Sequence, residues 1–166
     1  MTNHPGGAAL TRRAVRLSGV VPPARALDIG CGDGETVALL RDLGYDAHGV
    51  ADGAEALPHG DAAFDLALFE CVLSCVDDVD AALRESHRVL ASGGVLIVSD
   101  VYDRADASID VLKNTLRRNG FEPFLAEDQT AALVTYRAEL RESPRETFYR
   151  GDAKKLGYAL ILARKI

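Results

Sequence analysis

The chain has too few cysteines for a disulfide framework, no excess of basic charge, and no apolar run long enough to cross a membrane. Its three cysteines, Cys31, Cys71 and Cys75, are an odd number gathered in the first half. That pattern fits a reducing, cytoplasmic setting rather than a set of paired bridges. Lys and Arg number 19 against 25 Asp and Glu, a formal net charge of −6. Binding nucleic-acid phosphates needs a basic face, and the arginines here are scattered, so no nucleic-acid partner is expected. A membrane helix needs about 18 consecutive apolar residues; none occur, and no membrane partner is expected. The opening residues MTNHPGGAAL lack the basic start and long apolar core of a secretory signal. Internal repeats and low-complexity stretches are also missing.

What is present is a chain of 166 residues, 48% of them hydrophobic. That suits a single domain over residues 1–166 with a real core, and residues 1–7 read as a flexible arm. Short apolar runs alternate with amphipathic segments, the pattern of an α/β protein. The spacing predicts helices over 8–18, 35–43, 79–90, 109–118 and 129–141. It predicts strands over 25–29, 46–50, 64–69, 95–99, 121–125 and 156–163. Residues 51–63 read as irregular loop, and Gly93-Gly94 as the end of the helix before them. The last strand is expected to run antiparallel, as a hairpin with 121–125. Helices between buried strands require right-handed crossovers and a mostly parallel sheet. Ligands bind outside the carboxyl ends of such strands.

One loop stands out. Leu27-Asp28-Ile29-Gly30-Cys31-Gly32-Asp33-Gly34 leaves a predicted strand and enters a predicted helix. Glycines let the backbone turn sharply and approach a ligand closely, and the following helix aims free N–H groups back at the loop. A dinucleotide fingerprint is spaced G-x-G-x-x-G; here the spacing is G-x-G-x-G, with an acid two residues before the first glycine. Asp28 would repel a pyrophosphate but can accept hydrogen bonds from an ammonium group. A zwitterionic or cationic ligand therefore suits the loop better than a nicotinamide dinucleotide. Taken alone, a glycine-rich turn without a ligand is the competing reading.

On these residues the chain resembles class I, Rossmann-like methyltransferases that use S-adenosyl-L-methionine (SAM) and release S-adenosyl-L-homocysteine (SAH). LDIGCGDG resembles the family's first motif, FDLALFECVLSCV its fourth-strand segment, and RVLASGGVLIVSD the turn into its fifth strand. The three stand in the family's order over about residues 8–125. HPGG followed by LTRRA, and the terminal LGYALILARK, are similar to a set of bacterial small-molecule methyltransferases. The resemblance implies a three-layer α/β sandwich. It also implies that Asp28, Ile29, Gly30, Cys31, Gly32 and Gly34 surround the methionine part of SAM. Glu70 and Cys71 would follow at the end of the next core strand, over the cofactor and toward the acceptor.

The chain departs from that family after the second strand. The acid that usually holds the ribose hydroxyls is replaced by Ala51, and Asp52 comes one residue late. Asp52-Gly53-Ala54-Glu55 resembles the adenine motif with its first two residues exchanged. About one helix and one strand are absent there. Two readings stay open. In one, Asp52 and Gly53 serve ribose and adenine in a compact working site. In the other, the site is degraded and the domain is a non-catalytic binding or assembly protein. A missing strand would also leave a bare sheet edge, which points to a homodimer.

Glu70 and Cys71 are the candidates for a catalytic role. Glu70 could orient an acceptor amine, act as a general base, or only contact the cofactor. Cys71 and Cys75, four apart, would share a face of a helix and could hold a soft metalloid, or simply pack. No His and Cys cluster suggests a bound metal. His4 is a candidate lid residue, while His48, His59 and His87 read as structural or surface. Asp100, Tyr102 and Asp103 could line the acceptor side. Asp77, Asp78 and Asp80 fit the start of a helix. The expected function is methyl transfer from SAM to a small-molecule acceptor.

Overall fold

The computed structural model describes residues 4–104, 108–140 and 155–166. The elements in chain order are α1 (Gly7–Ser18), β1 (Arg25–Ile29), α2 (Glu35–Asp42), β2 (Asp46–Val50), β3 (Phe64–Glu70), a short 3₁₀ turn (Leu73–Cys75), α3 (Val79–Val89), β4 (Leu90–Asp103), α4 (Ile109–Arg118), β5 (Phe121–Asp128), α5 (Thr130–Leu140) and β6 (Leu156–Lys165). The six strands form one sheet in the order β2-β1-β3-β4-β6-β5. β1 pairs in parallel with β2 and β3, and β3 with β4. β6 runs antiparallel to both β4 and β5.

Two apolar layers sandwich the sheet. On one face Leu10 and Ala14 of α1, Val37 and Leu40 of α2, and Leu133 of α5 meet Ala26, Leu68 and Ile97. On the other, Leu83 and Val89 of α3 and Leu116 of α4 meet Leu27, Phe69 and Leu96. The central strands are buried on both sides, which is why they read as continuous apolar runs. The three-layer, mostly parallel plan and the antiparallel pairing of β6 with β5 match the expectation, but α5 lies between these two strands in the chain, so they form no hairpin.

The details that differ have local causes. The strand expected at 95 begins at Leu90, directly from α3, because Leu90 already pairs with Phe64. Gly93, at φ 73, does not end a helix; it sits within β4, whose ladder to β3 shifts register between Phe64 and Leu66. β4 runs past Ser99 to Asp103 because β6 supplies a partner for each residue from Val95 to Asp103. Near that end, Gly157 opposes Tyr102, and a Cβ on Gly157 would collide with the Tyr102 ring. The helix expected to reach residue 141 is described as far as Leu140; Arg141 lies outside the described residues.

Residues 51–63 form neither helix nor strand, as expected from the shortened sequence. Ala54 and Leu57 sink into the α3-side core. Arg88 of α3 holds the rest of the loop, donating to the carbonyls of His59 (2.8 Å) and Leu57 (3.1 Å) and to Asp61 (2.9 Å). Glu85 accepts from the Leu57 N–H at 2.9 Å. β2 is therefore the sheet edge, where the Arg41 side chain covers the Ala47 carbonyl at 2.9 Å.

Of the flexible arm expected over residues 1–7, residues 1–3 lie outside the described residues. From His4 onward it is folded against the body. His4 is buried, and its carbonyl accepts from the Gly7 N–H at 3.1 Å. Gly6, at φ 80, makes the turn; a Cβ there would lie 2.7 Å from the Leu10 Cβ.

Candidate active site

The glycine loop leaves β1 at Ile29 and enters α2 at Glu35. Gly30, Gly32 and Gly34 sit at φ 79, 51 and 85, the left-handed region that favours glycine. The N–H groups of Gly30 and Cys31 both donate to the Val50 carbonyl, at 2.7 and 3.1 Å. The loop is thereby pinned to the end of β2. A Cβ on Gly32 or Gly34 would meet nothing within 4 Å, whereas one on Gly30 would collide with the Val72 side chain. Gly30 therefore serves the close passage of Val72, and the open side of the loop lies at Gly32 and Gly34. Ile29 points into the α3-side core, so only its backbone can face a ligand. Cys31 also points away: its Sγ would be 2.7 Å from a Cβ on Gly49, and it packs there beside Val37.

Beneath the loop lie two carboxylates on neighbouring strands. Asp28 is 3% exposed, and no hydrogen bond to its carboxylate is made among the described residues. Burial, and secondarily the charge of Glu70, push its carboxyl up to about 7. Glu70 ends β3 and has partners on both oxygens. Thr11 of α1 donates to Oε1 at 2.7 Å, and Thr36 in the first turn of α2 donates to Oε2 at 2.7 Å. His4 Nε2 lies 3.4 Å from Oε2. So engaged, Glu70 is a junction between three segments rather than a free base.

Cys71 follows in the left-handed region at φ 58, which costs a non-glycine residue strain. Its N–H donates to the Ser99 carbonyl at 2.8 Å, and its Sγ lies 3.4 Å from the hydroxyl of buried Tyr158. Burial, then the neighbouring Cys71, drive the Tyr158 phenol far above its ordinary range. Cys71 and Cys75 do not share an α-helical face as their spacing suggested. Between them the chain makes a single 3₁₀ turn. Asp100 ties that turn to β4 by accepting from the Ser74 N–H (2.9 Å) and hydroxyl (2.7 Å). Burial raises the Asp100 carboxyl despite these donors. Cys75 is exposed, its Sγ 3.8 Å from the Cys71 carbonyl. Among the described residues no three His, Cys, Asp or Glu side chains gather as a metal site.

Asp52 and Gly53 are exposed at the same end of the sheet, just beyond β2. Asp28, Asp33 and Asp52 all act on Cys31, whose thiol is raised first by burial and then by these charges. Tyr102 turns toward β5, its hydroxyl donating to Asp128 at 3.2 Å. Sequence reasoning missed Thr11, Thr36, Val72 and Tyr158. Thr11 alone left a trace, as a polar residue on the apolar stripe of its helix.

The sheet order, the glycine loop after β1 and the carboxylates on β1 and β3 together define a class I, Rossmann-like methyltransferase fold. The chain belongs to the methyltransferase domain family, whose model matches residues 7–161. It is 31% identical over 137 residues to malonyl-[acyl-carrier protein] O-methyltransferase of Pseudescherichia vulneris, covering 68% of this chain and 53% of that protein. It is 34% identical over 107 residues to arsenite methyltransferase of Aquipseudomonas alcaligenes, covering 52% of this chain and 31% of that protein. The chain thus spans about a third to a half of the length of these curated relatives. In fold it is similar to geranyl diphosphate C-methyltransferase from Streptomyces coelicolor A3(2), with a TM-score of 0.74 at 17% identity over 96% of this chain and 80% of that one.

Proposed function

We propose that this chain is a SAM-dependent methyltransferase acting on a small-molecule acceptor. The observation that carries this reading is Asp28, a buried carboxylate with no hydrogen-bond donor of its own among the described residues, below the open side of a glycine loop. A buried acid without a partner is costly. A ligand bearing an ammonium and a sulfonium offsets that cost, and SAM carries both. Asp28 would take the methionine end, and the backbone at Gly32 and Gly34 would lie against it. Asp52 would bond the ribose hydroxyls, with Gly53 beside the adenine. Cys71 stands next in line on the acceptor side.

When bound, SAM supplies an electrophilic methyl group on its sulfonium. The chain's own part is to hold donor and acceptor in line and to exclude water. Orientation of that kind is worth roughly 7–11 kcal/mol of barrier, so an acceptor that is already nucleophilic needs no acid–base side chain. This agrees with a Glu70 whose oxygens are engaged by the protein itself. The three cysteines, none of them in a disulfide among the described residues, support a cytoplasmic setting. Among the described residues no helix is long and apolar enough to cross a membrane. A homodimer through the β2 edge has little to build on, because Arg41 already occupies the Ala47 carbonyl.

The second reading is a binding or assembly protein with a degraded site. The irregular 51–63 segment favours it, since a helix and strand no longer wall the adenine side. Calorimetry with SAM and with SAH separates the two. The enzyme reading expects saturable binding of one ligand per chain. No heat and no thermal shift at millimolar ligand would leave only the second.

A further inference from the structure

The ring of His4 sits in a network whose donors can be counted. Its Nδ1 lies 3.2 Å from the Pro5 carbonyl. Its Nε2 faces the Thr11 hydroxyl oxygen at 3.3 Å and the Glu70 Oε2 at 3.4 Å. The single proton of Thr11 is committed to Glu70 Oε1 at 2.7 Å. Nε2 is therefore the ring nitrogen placed to donate to the carboxylate. Glu70 then holds three donors from three places: the segment before α1, α1 itself, and the helix that follows the glycine loop.

The position of this junction matters. Leu68 of β3 lies beside Asp28 of β1, and Glu70 is two residues further on, on the same face of the sheet. Residues 4–7 thus close over the Asp28 end of the site. They are brought back by a turn that only glycine permits at position 6, since φ is 80 and Leu10 fills the space a Cβ would need.

We propose that His4 is a positioning residue: acting through Glu70, it latches residues 4–7 over the methionine end of the SAM site and sets how fast SAH leaves. The proposal rests on the SAM reading above. With the latch closed, His4 holds Glu70 away from ligand and acceptor, and α1 stays seated against the start of α2. With it open, the segment swings off the site, Glu70 keeps only its two threonine donors, and the Asp28 end meets solvent.

The test measures SAH dissociation from the full chain by stopped flow, together with KM for SAM and kcat. His4→Ala is expected to raise the SAH dissociation rate at least tenfold and to raise KM for SAM, while kcat holds or increases. His4→Gln keeps an N–H donor and is expected to recover part of the slow release. Arg13→Ala is the control. It removes another tether of the same helix, the paired bonds from Arg13 to Glu127 at 2.7 and 2.8 Å, and should leave SAH release at the parent rate. A release rate for His4→Ala within twofold of the parent overturns the latch. So does an equal acceleration in Arg13→Ala, which would make the effect one of helix loosening. If the parent binds no SAH, the SAM reading falls and the latch falls with it.

Discussion

Replacing Asp28 with asparagine should make the protein more stable and less able to bind its cofactor, and the gain in stability should depend on pH. The native carboxyl sits at about 7, against 3.8 for an ordinary aspartate. Between those values the folded chain keeps a proton that the unfolded chain has lost. Unfolding then releases a proton, so raising the pH favours the unfolded state. The parent should lose about 1.4 kcal/mol per pH unit across this window, roughly 4 kcal/mol in all. Above about pH 7 both states are ionised and the slope ends. The Asp28→Asn variant, whose amide does not titrate, has no such slope. Between pH 5 and pH 7 its advantage should grow by about 3 kcal/mol, or roughly 6–12 °C in Tm for a domain of this size. Thermal melts of both proteins from pH 4 to pH 8 measure this directly. In parallel, the loss of a charge-assisted contact worth about 1.5–3 kcal/mol should weaken SAH by about one to two decades. A constant gap in Tm from pH 5 to pH 8 would refute the reasoning, because it would mean that Asp28 is ionised throughout. Unchanged SAH affinity would move the methionine end of the site elsewhere.

Three further outcomes follow from the same geometry. Glu70→Gln should keep kcat within about tenfold of the parent, since loss of a general base costs roughly 10²–10⁴-fold; a fall of that larger size in steady-state assays would restore Glu70 as a catalytic group. The same change removes the charge beside Asp28, so the stability slope of Asp28 should shift to lower pH. Asp52→Ala should weaken SAM by about one to two decades in calorimetry, and equal affinity would take the ribose contact away from Asp52. Arg88→Ala releases the Leu57 and His59 carbonyls and should lower Tm by a few degrees, the loss being about 1 kcal/mol after allowing for the partial exposure of the side chain. SAH affinity should fall with it, because the freed loop carries Asp52.

Much of the plan could be read along the chain because it is written in short-range patterns. The period of the apolar residues located the five helices and six strands, and Asp78 caps α3 through the Ala81 N–H at 2.9 Å as the run of acids suggested. The glycine loop was legible because left-handed backbone leaves a mark in residue type. The errors fall where the deciding contact is distant. Leu90 belongs to a strand only because Phe64 lies beside it. His4 was read as a candidate lid residue, but its partners could not be named, because Thr11 and Glu70 lie on α1 and at the far end of β3. The close approach of Val72 to Gly30 also went unread, since nothing in the spacing marks it. Thr36 lay unremarked two residues past the octet, since a first-turn threonine is ordinary until a carboxylate from another strand reaches it.

Gly157 bears on how the sheet avoids pairing wrongly. Among the described residues β6 is the sole link between β5 and the rest of the sheet, and its run from Gly157 to Ala163 is buried throughout. Such a strand carries little alternation to fix its alignment, and a slip of one residue would turn every side chain to the opposite layer. Tyr102 lies across the one glycine of β6, and the neighbours of that glycine are Leu156 and Tyr158, neither of which leaves room for the ring. The pair works as a key that fits in one alignment. It keeps Tyr158 under Cys71, and it guards a sticky inner strand against the off-register pairings that lead toward aggregation.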